Sequence, residues 1–270
     1  MSDAVVRVEN LSKIYMLGKR NVQALYNVNL QVARGEFVAI MGPSGSGKTT
    51  LLNVLGCLDK PTGGTVLIDR INVAEVPEKE LCRIRRNKIG FIFQTFNLLP
   101  YLNARENVEL PMEGMGLTKG EKRQRASELL EMVGLSGREE HRPHRLSAGE
   151  QQRVAIARAL ANNPTIILAD EPTGNLDAKN KREIVNLLAG LNLSRNTTII
   201  MVTHDGQVAA HTERILLLKD GKIIKERQGM HAAKKKFMCS HCGSKLQGNE
   251  VVCPSCQKPI MHGGKMNDGT

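Results

Sequence analysis

The sequence contains no tryptophan, three tyrosines and five phenylalanines among its 270 residues. Its core must therefore be built from aliphatic side chains, and a function that needs several aromatic platforms for stacking bases is disfavoured. No apolar run approaches the roughly 18 residues that a membrane-spanning helix requires. The opening MSDAVVRVEN also lacks the charged-then-apolar pattern of a secretory signal, so the chain is expected to stay in the cytosol. In that compartment its six cysteines are expected to be thiols or metal ligands rather than disulfides.

What is present fits a globular protein. Hydrophobic residues make up 41% and charged residues 24%, which excludes wholesale disorder and fibrous repeats. At roughly 150 residues per domain, the length allows one large domain with a small appendage. The net charge of +11 attracts phosphates without choosing among nucleotides, nucleic acid and anionic lipid. The one basic run, Lys234-Lys235-Lys236, reads as a solvated linker.

Residues 5–40 alternate short β-rich pieces with polar turns, predicting a small sheet that leads into a buried strand at Phe37–Met41. Further apolar runs without alternation, TIILA (165–169) and TTIIMVT (197–203), read as strands covered on both faces, as in a parallel sheet. Helical spacing in EQQRVAIARALANN and KREIVNLLAGLN separates them, so the fold class is α/β. Residues 95–145, with Pro100, Pro111 and the periodic stretch TKGEKRQRASELLEMVGL, are expected to form an inserted helical subdomain. Asp220-Gly221 between two apolar-rich runs predicts a closing hairpin.

The most specific signal is Gly42-Pro43-Ser44-Gly45-Ser46-Gly47-Lys48-Thr49-Thr50. It matches the phosphate-loop pattern G-x-x-x-x-G-K-S/T after a buried strand and before a helix. The glycines let backbone N–H groups converge on phosphate oxygens and the helix adds its positive end. Lys48 supplies a mobile charge, and the Thr49 hydroxyl can ligate magnesium. Asp170 and Glu171 end an apolar strand. In a phosphate-loop enzyme the first such carboxylate holds the magnesium shell and the second orients and deprotonates water, which implies hydrolysis. Leu146-Ser147-Ala148-Gly149-Glu150-Gln151 precedes a long helix, where Ser147 reads by itself as an N-cap.

Together these motifs resemble the ATP-binding cassette (ABC) ATPases over roughly residues 4–228. The resemblance implies a P-loop fold with an N-terminal antiparallel β-subdomain and a helical insert, binding ATP and Mg²⁺. It also implies that Tyr15 stacks on adenine, that Gln94 reaches the metal and the nucleophilic water, and that His204 is the switch histidine. Ser147 and Gly149 of the signature and Asp177 of the D-loop would act in trans, in a head-to-tail homodimer closing on two ATP. The stretches IGFIFQTFNLLP, ENVELPM and IILADEPTGNLD look most like the macrolide-exporter and lipoprotein-releasing branch, the MacB and LolD type. That branch implies transmembrane permease subunits as partners and a cytoplasmic, peripheral location on the inner face of the cell membrane. Two departures stand out. Ala148 replaces the usual second glycine of the signature, at a cost on the order of 1 kcal/mol if the backbone there needs a positive φ. Glu150 replaces its glutamine, so its side chain is expected to face away from the phosphates.

Cys239-x-x-Cys242, ten residues, then Cys253-x-x-Cys256 is the spacing of a closed tetrahedral thiolate site. Zinc fits it best, with two disulfides or a rubredoxin-type iron as alternatives. So short a segment needs its metal to fold. The implied organisation is a nucleotide-binding domain at 1–228, a basic linker at 229–237, a zinc-ribbon-like module at 238–262 and a tail at 263–270. His241 reads as a bystander in the first knuckle, and Cys57 and Cys82 as ordinary thiols. The functional expectation is a transporter ATPase. The alternative is a soluble ABC ATPase acting on nucleic acid or ribosomes through its basic surface and ribbon, although nucleic acid is not expected as a partner.

Overall fold

A computed structural model describes residues 4–18 and 20–230. Two long, alternating segments, Ala4–Leu17 (β1) and Arg20–Ala33 (β2), pair antiparallel. Gly63–Ile68 (β4) joins the other edge of β1, and Ile71–Asn72 (β5) extends β4, giving a four-stranded sheet of order β2-β1-β4-β5. Between β2 and β4 the chain crosses to a second sheet as Phe37–Met41 (β3) and returns through the helix Lys48–Leu55 (α1).

The second sheet has the order β10-β9-β3-β8-β7-β6. Its strands Ile89–Ile92 (β6), Ile166–Asp170 (β7), Thr198–Val202 (β8) and Arg214–Lys219 (β9) run parallel with β3. Every residue of β8 and all but the last of β3 and β7 are buried, which accounts for the unbroken apolar runs in the sequence. Lys222–Gln228 (β10) turns back antiparallel on β9. The turn has Asp220 at φ 47° and Gly221 at φ 72°, the left-handed pair that an Asp-Gly hairpin provides.

Helices cover both faces. Glu78–Lys88 (α2) precedes β6, and Ala104–Glu109 (α3) and Lys119–Met132 (α4) lie in the 95–145 region. Ala148–Leu160 (α5), Ala178–Arg195 (α6) and Gly206–Ala210 (α7) complete the set. Leu129, Leu130, Ile156 and Leu188 share one apolar core with Phe37, Ile167 and Ile199. A second core joins Leu51 and Leu55 of α1 to Val6, Leu25 and Val66 of the antiparallel sheet and to Val38 and Ile200. The two cores grip the parallel sheet from opposite sides, so the carboxyl ends of β3, β8 and β7 emerge side by side, where open α/β sheets place their ligands. Among the described residues no helix is long and apolar enough to cross a membrane. The cysteine module, Cys239, Cys242, Cys253 and Cys256, lies outside the described residues.

Candidate nucleotide site

The loop after β3 needs its glycines for two reasons. Gly45 and Gly47 lie at φ 77° and 99°, in the left-handed region that side chains disfavour. A Cβ on Gly42 would overlap the Leu218 carbonyl, and one on Gly47 the Ala24 carbonyl. The loop is buttressed by the distant hairpin, since the Gly221 N–H donates to the Ser46 carbonyl at 3.1 Å and the Tyr26 N–H donates to the Gly221 carbonyl at 2.9 Å. Helix α1 starts at Lys48 with no side-chain cap and no acidic residue in its first turn, which leaves its N–H groups aimed at an anion. Lys48 Nζ arches back to donate to the carbonyls of Gly42, at 2.9 Å, and Pro43, at 2.7 Å.

In front of this loop opens a cleft of about 700 Å³. Its wall brings together Ser44, Gly45, Gly47, Lys48, Thr49 and Thr50 with Asp170, Glu171 and His204. Gly42, Pro43 and Ser46 of the loop do not line it. Asp170 ends β7, and burial followed by the neighbouring Glu171 pushes its carboxyl above the ordinary range, with Lys48 opposing. Glu171 leaves the strand at φ 46°, pinned by its N–H on the Val202 carbonyl at 3.0 Å. Such a conformation costs a non-glycine residue about 1–3 kcal/mol, and here it swings the carboxylate toward His204. His204 Nδ1 lies 2.8 Å from Glu171 Oε1, the imidazole 70% and the carboxylate 16% exposed. A hard oxygen set of one hydroxyl, Thr49, and one carboxylate, Asp170, on a single wall suits Mg²⁺, and the N–H groups and lysine suit a polyphosphate.

The remaining expected site residues are not in the wall of this cleft, although Tyr15 borders it through a side-chain hydrogen bond with Thr50. The Tyr15 hydroxyl donates to Asp59 Oδ2 at 2.8 Å, Lys13 Nζ lies 4.8 Å from its ring centre, and burial then Asp59 raise its phenol pKa. Next to it the cleft is walled by Val22, the cross-strand partner of Tyr15, with Gln23 and Ala24. Those three and Val202 are site residues with no signature in the sequence. Gln94 exchanges bonds with Asn175, its Nε2 to Oδ1 at 3.4 Å and Asn175 Nδ2 to its carbonyl at 3.0 Å, so its amide faces the D-loop.

Ser147 caps α5, accepting the Glu150 N–H at 3.3 Å, while the Glu150 carboxylate returns to accept the Ser147 N–H at 2.8 Å. The second signature departure thus completes a capping box, with Arg138 on its outer oxygen at 3.3 Å. The Ser147 N–H first, with the Ser147 hydroxyl and Arg138, holds the Glu150 carboxyl below its usual range. Ala148 is the first residue of α5 and is absent from the non-glycine residues of positive φ, so the strain considered for the first departure does not arise. A Cβ on Gly149 would overlap Asn180 Oδ1. Asn180 in turn is held by Asp177, which caps α6. Cys57 is buried and free, its thiol pushed up to about 11 by burial, and Cys82 is exposed and free. Among the described residues no three His, Cys, Asp or Glu side chains converge as a metal cluster.

Comparison with known proteins decides the class. The ABC transporter family model matches residues 25–174. The chain belongs to the ABC transporter family. It is 54% identical over 228 residues to the ABC transporter ATP-binding protein MJ0796 of Methanocaldococcus jannaschii, covering 83% of this chain and 97% of that one. A dimeric structure of that cassette bound to ADP and Pi superposes with a TM-score of 0.76 at 53% identity, over 83% of this chain and 98% of the other. The macrolide export ATP-binding/permease protein MacB of Burkholderia pseudomallei is 47% identical over 232 residues, 86% of this chain but 35% of that protein. The chain is thus the ATP-hydrolysing cassette of an ABC transporter, a P-loop α/β ATPase using ATP and Mg²⁺.

Proposed function

We propose that two copies of this chain close on ATP and drive separate permease subunits of the exporter or lipoprotein-releasing type, from the cytoplasmic face of the cell membrane. The observation that carries the chemistry is the Glu171–His204 contact at 2.8 Å, set on the same wall as Lys48, Thr49 and Asp170. The phosphate loop and α1 bind and orient the phosphates, and Lys48 releases the Gly42 and Pro43 carbonyls to reach them. Magnesium, when bound, neutralises developing phosphate charge, with Thr49 and Asp170 as its ligands and Gln94 joining by turning from Asn175. Glu171 takes the proton from the attacking water at its free carboxylate oxygen, and His204 fixes the other oxygen.

Ser147, Gly149 and Asp177 lie outside the cleft of their own protomer, which is what a site completed in trans requires; the dimeric relative supports it. For the permease, a groove of about 540 Å³ offers Leu58, Phe91, Phe93, Leu110 and Pro111 with Arg86 at its side, next to Gln94 and the helical insert. The transporter names of the relatives speak against the nucleic-acid alternative. In Glu171→Gln the shape is kept and the base lost, so turnover falls by ~10²–10⁴ while an ATP-bound dimer accumulates on size exclusion. Near-normal hydrolysis would refute the assignment.

The four cysteines of 238–262, reached through the linker 229–237 and followed by the tail 263–270, are read as a structural zinc module on their spacing alone. Full-length protein should carry about one zinc per chain, and a chain ended at Gln228 none while still folding and hydrolysing ATP. Zinc-free full-length protein would remove the module.

A further inference from the structure

A third concavity, of about 570 Å³, lies between α6 and α7. Leu176, Val185 and Val208 give it an apolar lining, and Lys181, Arg182 and His211 a basic rim. Lys181 is engaged by Asp205 at 3.7 Å; exposed Arg182 has no charged or hydrogen-bonded partner among the described residues.

The described chain ends on the shoulder of this cleft. The Gly229 N–H donates to the Glu213 carbonyl and the Met230 N–H to the Ala210 carbonyl, each at 2.8 Å. Gly229 is packed so closely on the Thr212 carbonyl that a Cβ would overlap it. The chain therefore leaves from a point fixed beside the end of α7, one residue from His211. Residues 231–237 can span at most about 25 Å, whereas α7 is about 8 Å long. The cleft therefore lies within the linker's span of its anchored start.

We propose that the cysteine segment 238–262 of the same chain docks in the α6–α7 cleft and couples its metal content to ATP turnover. The inference rests on the zinc reading of that segment. Four thiolates on one zinc ion leave about two negative charges; with Lys245, Glu250 and Lys258 the segment 238–262 then carries about −1 overall, opposite in sign to Arg182 at the rim, unpaired among the described residues. The apolar pairs Val251-Val252 and Ile260-Met261 flank the second cysteine pair in sequence and match the lining. The coupling follows from what the cleft touches. Leu176 sits between Asn175, bonded to Gln94, and Asp177. Asp205 follows His204 and caps α7 through the Gln207 N–H at 2.9 Å. A segment seated here bears on both flanks of the hydrolytic site without entering it.

The test is hydrogen exchange on the full chain without nucleotide, as purified and after chelation, alongside the Cys239→Ser/Cys242→Ser and Arg182→Glu variants. Zinc content, melting temperature and ATPase rate are measured on each. The expected result is exchange slower by about fivefold or more in peptides covering 176–185 and 205–211 when zinc is bound. That protection is lost on chelation and in the cysteine variant, and the ATPase rate of the cysteine variant shifts at least about twofold from wild type. Arg182→Glu, at an exposed position, keeps its zinc and its melting temperature but loses the protection. Zinc without protection would overturn the docking alone, and absence of zinc would overturn the metal reading with it. Protection that grows with protein concentration would assign the cleft to a second copy and overturn the docking likewise.

Discussion

Gly149 links the signature helix to the D-loop inside one protomer, and Gly149→Ala measures that link. A Cβ at 149 would overlap Asn180 Oδ1, and the amide cannot simply rotate away because its Nδ2 donates to Asp177 Oδ2 at 2.8 Å. Overpacking of this kind costs roughly 1–3 kcal/mol. Replacing glycine by alanine in a helix returns roughly 0.5–1 kcal/mol. The net loss is then about 0–2.5 kcal/mol, which for a domain of this size lowers the melting temperature by up to roughly 10 °C. In an Asn180→Ala background the obstacle is gone and only the helical gain remains, so the sign reverses. Thermal unfolding of wild type, both single variants and the double variant, all without nucleotide, gives a coupling of about 1–3 kcal/mol. Equal shifts from Gly149→Ala in the two backgrounds would refute the contact.

Lys48→Ala should weaken binding of Mg-ATP by roughly ten- to a hundredfold in calorimetry and largely abolish hydrolysis, since the side chain that spans the loop is the cleft's lysine. Asp170→Asn should abolish Mg-dependent turnover, yet melt no lower than wild type at neutral pH without nucleotide. The carboxyl is raised on folding, so its ionised form costs stability above the folded pKa and that cost fades as pH falls through it; a lower melting temperature for the variant at neutral pH would contradict this. Glu150 has the opposite sign: its folded pKa is depressed, so its stabilisation is present above about 4.3 and is lost as pH falls through the lower folded value. The melting advantage of wild type over Glu150→Gln should therefore shrink below that pH, and a constant difference across the acid range would remove the capping-box explanation.

The buried strands β3, β7 and β8 were legible because strands covered on both faces cannot hide their apolar runs, and the Asp220-Gly221 turn because only such residues take the left-handed pair cheaply. Lys48, Thr49, Asp170, Glu171 and His204 follow from those strands, since each stands at or just beyond a carboxyl end. Other parts were not legible. Helix α2 reads EKELCRIRRNK, so charged that only Leu81 and Ile84 are buried. Val22, Gln23 and Ala24 become cleft wall because β2 folds over the loop, which is a matter of sheet placement and not of residue type. The capping role of Glu150 follows the S-x-x-E rule for helix starts, and the departure from the family glutamine obscured it.

The staple between Gly221 and Ser46 has a consequence for synthesis. The phosphate loop is made early, but the carbonyl of Leu218 that packs on Gly42 and the hairpin that holds Ser46 are made close to the end of the described chain. During translation, which is slow relative to local folding, the loop therefore waits without its clamp until β9 and β10 leave the ribosome. A nascent cassette therefore lacks these two supports of its nucleotide cradle until nearly all of the catalytic domain exists.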